Sequence, residues 1–214
     1  MDEQPINPYQ SPDTQSEYIA RPNLQQPHLF RETKIFAWLA GLCIAFTIPY
    51  AIVIFLLSQG MLVLEMEQLT SIDLLKTIFF TLGVIFYCIW KYRCACNARS
   101  LSGMNLMYSP GWCVGYYFIP ILSLFRPYQC MNDIFAKTYY TLNRSYPKWL
   151  ILLWWWSWIL YNIFNRVAAK SESIEVTIAC EALGALSAVL VILLMTLLTR
   201  AQYEMEGHSR IHQR

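Results

Sequence analysis

Four apolar blocks, at residues 35–58, 72–92, 148–169 and 175–200, constrain this chain more than any other feature. Each is close to the roughly 20 apolar residues that a helix needs to cross a bilayer. The first carries no charged residue and the others carry few. Only 14% of the 214 residues are charged, and 56% are hydrophobic; a soluble domain carries about 25% charged residues. The expectation is an all-α polytopic membrane protein with four transmembrane helices, its membrane domain covering 35–200. The first block begins behind a long polar segment, so it reads as a retained helix rather than a cleaved signal peptide.

Residues 1–34 are rich in Pro, Gln, Asn and Ser and poor in large aliphatics. Such a segment buries too little apolar surface to offset its ordering entropy, so a disordered tail is expected. Within it, residues 7–12 are turn-prone, and Tyr9 between prolines offers a docking anchor as the alternative reading. Residues 201–214 read as a second tail.

Between the second and third blocks lies a fifth apolar stretch, residues 109–126, and its path decides the sidedness of everything after it. If it does not cross, the loops alternate so that 13 of the 16 Lys and Arg residues fall on one side. If it crosses, the split is 8 to 8. Cytoplasmic loops carry the excess of Lys and Arg, which favours four crossings, both termini cytoplasmic, and a cytoplasmic connection from 91 to 148. A run this short is also more often re-entrant or interfacial. Ser109 and Pro110 read as an N-cap followed by proline at the first helical position. Pro120 should break that helix, and Pro127 should open an amphipathic helix over 127–142. The Trp-rich run at 149–158 is the expected cover for the Pro120 break, its indole N–H groups meeting freed carbonyls. Small residues four apart, Ala37/Gly41/Ala45 and Cys180/Gly184/Ala188, suggest close helix packing, and Pro49 predicts a kink.

These residues carry a resemblance. Trp90, Tyr92, Arg93, Asn97, Arg99 and Leu101 end the second block. Tyr108, Ser109, Pro110, Gly111, Trp112, Val114, Gly115, Phe118, Ile119 and Pro120 follow, then Leu124, Pro127, Tyr128 and Gln129, then the pair Trp154 and Trp155. This order resembles the bacterial integral-membrane family called domain of unknown function 4328. Tyr116 and Tyr117 stand where that family usually has two tryptophans. The resemblance implies a multi-pass protein of the bacterial cytoplasmic membrane and implies no activity.

Glu181 lies inside the fourth block, where a carboxylate is costly and reads as a functional candidate. Arg166, near the same end of the third block, is its expected partner, so a structural ion pair is the competing reading. On the cytoplasmic side, Arg93, Asn97 and Arg126 bracket the re-entrant segment, and the surrounding basic residues suit anionic lipid headgroups. All three histidines lie near the termini, at 28, 208 and 212, and no HExxH, P-loop or nucleophile-elbow motif is present. Seven scattered cysteines form neither a disulfide framework nor a zinc pattern. No catalytic residue, metal or cofactor is expected, and a net charge of +2 gives no reason to expect nucleic acid. The expected function is a non-enzymatic scaffold or a lipid- or partner-binding module, with membrane lipids, another protein or a second copy as partner. The alternative is a small transporter or channel subunit with Glu181 in a polar path.

Overall fold

The computed structural model describes residues 30–170 and 173–212, with side chains as far as 209. Among the described residues the regular structure is all helix, with no strand. In chain order they form α1 (Lys34–Ala45), α2 (Thr47–Ser58), α3 (Met66–Ser102), α4 (Pro110–Gly115), two 3-10 turns (Tyr116–Phe118 and Leu122–Leu124), α5 (Arg126–Thr141), α6 (Lys148–Ala168) and α7 (Ile174–His212). Three helices are long and apolar enough to cross a membrane: α1 with α2 as one unit, α3, and α7. Their outer faces are apolar and open. Trp38 is 79% exposed and Leu42 69%, and Ile52, Leu74, Ile78 and Ile85 are exposed beside them. Surfaces of this size suit lipid, because soluble monomers rarely expose such contiguous apolar patches.

The break between α1 and α2 has a local cause. Pro49 has no N–H, and its ring clashes with the carbonyl four residues earlier, at Ala45, where α1 ends. Thr47 Oγ1 donates to the Ile44 carbonyl at 2.8 Å, beside the break. The kink expected at Pro49 is thus a break one turn earlier.

Two helices overrun the expected spans. α3 has 37 residues and α7 has 39, each more than about 55 Å at 1.5 Å per residue, against a hydrocarbon core of about 30 Å. α3 is stopped cleanly at both ends. Glu65 and Gln68 form a capping box at its start, and Gly103 takes φ +65° at its end, the left-handed C-terminal position that glycine favours. The segment expected to be a tail from 201 is instead helix to His212, with Ala201, Gln202 and Met205 buried. The expected N-terminal tail is also shortened. Phe30 packs edge-on against Tyr203, ring centroids 4.8 Å apart, and Thr33 is fully buried. Residues 7–12, including Tyr9, lie outside the described residues, as does His28.

Burial is concentrated at one end of the bundle. There α5 lays its apolar face (Met131, Ile134 and Phe135) against Trp90, Cys94 and Ala98 of α3, Ile151 of α6, and Leu194 and Leu198 of α7. α2 buries no residue. The seam on α7 is real: a Cβ on Gly184 would lie 3.0 Å from the Tyr161 ring, and Cys180 and Ala188 are buried. The seam expected on α1 is displaced by one position. Ala40 and Cys43 are its buried residues, while Gly41 faces open space. The close approach to α1 comes from Gly83 of α3, whose added Cβ would meet Ile44 at 3.2 Å.

Candidate functional site

A cavity of about 300 Å³ opens between α1, α3, α6, α7 and the 116–118 turn. Phe80, Val84, Trp154, Trp158 and Val191 give it apolar walls, and polar groups gather at two places.

At the first, Lys76 of α3 and Glu181 of α7 form an ion pair with Nζ and Oε1 2.7 Å apart. Their side chains are 20% and 12% exposed. Lys76 also stands over the Tyr50 ring at 3.7 Å, and the Tyr50 hydroxyl donates to Asp73 at 2.6 Å. This corrects the expected partner of Glu181: Arg166 is exposed near the end of α6, and the salt bridge goes to Lys76. Asn162 lines the cavity but donates to its own helix, to the Trp158 carbonyl at 2.8 Å.

At the second, the hydroxyls of Tyr87 and Tyr117 are 3.0 Å apart. Behind them the Lys91 ammonium donates to Tyr117 Oη at 2.8 Å and to the Pro127 carbonyl at 3.1 Å. It also lies 4.5 Å from the Tyr117 ring centroid. Lys91 is fully buried. Sequence reasoning counted it among the cytoplasmic basic residues and missed it. The available signal was its spacing of four from Tyr87, which places both on one helical face.

The other candidates hold the fold together. Asn97 is buried and clamps the backbone of Arg31. Its Oδ1 accepts from Arg31 N–H at 2.8 Å, and its Nδ2 donates to Arg31 C=O at 2.9 Å. Gln202 of α7 closes the group, donating to the Cys94 carbonyl at 2.9 Å. Arg93 donates to the Glu32 carbonyl at 2.8 Å and covers the Phe36 ring at 4.3 Å. The helix-end motif thus straps residues 31–33 onto α3, and Trp90 adds an indole bond to Thr199 Oγ1 at 3.0 Å.

Arg126 does the same for the second motif. It donates to the Tyr108 hydroxyl and to Gln129 Oε1, the latter at 2.9 Å. Ser109 sits at the N-cap with Pro110 first in the helix. Gly111 is open, and Trp112 stacks on Tyr116 at 5.3 Å. Ile119 is extended, as a residue before proline should be. Pro127 is buried at the start of α5, and Tyr128 packs against the core. The Trp helix meets both flanks of the Pro120 break. Trp155 Nε1 donates to the Leu124 carbonyl at 3.2 Å, and Trp158 packs edge-on to Tyr117. Pro120 itself remains exposed. Among the described residues, no three potential metal ligands come together.

The family model of the domain of unknown function DUF4328 matches residues 56–203. No curated protein and no solved structure matches the chain.

Proposed function

The chain belongs to the family of the domain of unknown function DUF4328, and from that premise we propose a non-enzymatic protein of the bacterial inner membrane that binds lipid inside its helix bundle. The cavity carries this reading. It is concave, walled by aromatic and aliphatic side chains, and supplied with a few convergent polar groups, which is the usual make-up of a small-molecule site.

The proposed topology has four spans. α6 has 21 residues, about 31 Å of helix. It packs along α7 after a short link, and Leu152, Leu153, Trp156, Leu160 and Ile163 are exposed along it. A helix running beside a spanning helix with an apolar outer face belongs in the same hydrocarbon layer. With four spans, 13 of the 16 Lys and Arg residues share the side of the termini, which the positive-inside rule makes cytoplasmic. The 109–126 segment would then dip into the cytoplasmic leaflet, with Trp112, Phe118, Ile121 and Phe125 exposed as its lipid contacts. The basic residues near it, Arg99 and Lys148 among them, would meet anionic headgroups. A partner protein or a second copy would dock on the same cytoplasmic face.

The test is photolabelling in lipid nanodiscs with a sixteen-carbon alcohol carrying a mid-chain diazirine. Labels should map to the cavity walls around Val84 and Trp158, and Val84→Trp, at a half-exposed wall position, should abolish them. Labelling confined to the outer faces of α1 and α3 would defeat the reading. A second reading, a transporter or channel subunit, draws on the Lys76–Glu181 pair lining the same cavity. Ion or solute flux in proteoliposomes that Glu181→Gln abolishes would favour it.

A further inference from the structure

Among the described residues, the lysine behind the cavity forms no salt bridge. Lysine is almost never fully buried unless paired, because an ammonium taken out of water must regain its solvation from an anion or a full set of acceptors. Among the described residues, the carboxylates in salt bridges are Glu181, Asp133 and Glu204, and their partners are Lys76, Lys137 and Arg144. Lys91 has two acceptors, both neutral: Tyr117 Oη and the Pro127 carbonyl. The rings of Tyr117 and Tyr87 add cation–π contact at 4.5 and 6.0 Å.

The two tyrosines connect that charge to the cavity. Both line it. Between them they hold two hydroxyl protons and share one hydrogen bond, so one proton is used and the other has no acceptor among the described residues. Because Lys91 donates to Tyr117 Oη, it polarises whichever hydroxyl keeps the free proton and makes it a stronger donor. The far polar group offers no competing attraction for an anion, since Lys76 is already neutralised by Glu181.

We propose that the cavity takes a single-chain carboxylate, such as a free fatty acid, with its carboxylate on the Tyr87–Tyr117 hydroxyl pair backed by Lys91 and its chain along Val84, Trp158 and Val191. This rests on the cavity reading above and adds the chemistry of the head. A carboxylate fits better than a phosphate, because the pair offers one free hydroxyl proton on one side, whereas a phosphate dianion needs several donors around it.

The experiment compares two probes of equal chain length in nanodiscs, the mid-chain diazirine alcohol and the corresponding diazirine fatty acid. The acid should label the cavity walls at least about tenfold more efficiently at equal membrane concentration. Lys91→Met should bring acid labelling down to the level of the alcohol. Tyr117→Phe, which keeps the ring packing, should do the same and serves as the control should Lys91→Met misfold. Equal labelling by acid and alcohol in the wild type overturns the anionic head while leaving the cavity reading intact. A preference for the acid that survives both variants also overturns it. Failure of both probes to label the cavity defeats the cavity reading itself.

Discussion

Asn97 and Arg31 exchange a pair of hydrogen bonds, side-chain amide to backbone amide, at 2.8 and 2.9 Å across 66 residues of sequence. The pairing is of the kind one strand makes with another, with an asparagine supplying the second edge. It explains why the helix-end motif carries an asparagine at that position. The acceptor and the donor must stand side by side, and of the common side chains only an amide provides both at that reach.

Replacing Asn97 with Ala should therefore cost about 2 kcal/mol, since both backbone groups of Arg31 lose their partners. The amide of Gln202, 3.4 Å away, loses a neighbour as well. Thermal unfolding in mild detergent checks the loss. Trypsin should also cut faster after Arg31 in the variant than in the wild type.

Glycines 184 and 41 should respond in opposite ways. Gly184→Ala places a Cβ 3.0 Å from the Tyr161 ring, and overpacking of this kind costs about 1–3 kcal/mol. Gly41→Ala meets nothing within 4 Å and removes a helix-interior glycine, a gain of up to about 1 kcal/mol. Paired melting curves of the two variants read the contrast directly.

Glu181→Gln should leave the Lys76 ammonium without its counter-ion in a largely enclosed place. The expected cost is about 2–3 kcal/mol, somewhat below that of breaking a fully buried pair. Glu181→Gln with Lys76→Met should recover part of that loss. If the protein is a lipid-binding module, diazirine labelling of the cavity persists in the single variant once temperature is lowered to keep it folded.

Sidedness follows from the four-span reading. Cysteines introduced at Arg144 and at Lys170, in a background lacking Cys88 and Cys96, the two native cysteines that are not buried, should react with an impermeant maleimide from opposite faces of the membrane. Reaction of both from the same face would remove one crossing and reassign the basic cluster.

Much of the architecture could be read in advance, because apolar length and proline position act locally. The first helix, the break ahead of Pro49, the Ser109–Pro110 start and the end of the helical turn ahead of Pro120 all come from residues within one turn of the event. What escaped depends on the distant chain. The partner of Glu181 lies 105 positions away, at Lys76, and is set by how α3 meets α7. Nothing near Arg166 could have revealed that. For Lys91 the one local hint was its spacing of four from Tyr87, and its burial depends on the 116–118 turn and the start of α5 closing over it. The overruns of α3 and α7 were missed for a related reason. Their ends are polar, so a search for apolar length stops where the hydrocarbon stops, although Asn97 and Gln202 continue as buried helix.

The interruption ahead of Pro49 also bears on how anything would reach the interior. α3 and α7 run unbroken past the cavity as stiff rods, and α6 is bolted to α7. Ile44 and Thr47, on either side of the interruption, both line the cavity. Beyond them stands α2, with no side chain fully enclosed. A guest arriving sideways from the lipid at this point would meet an interrupted helix rather than a continuous one.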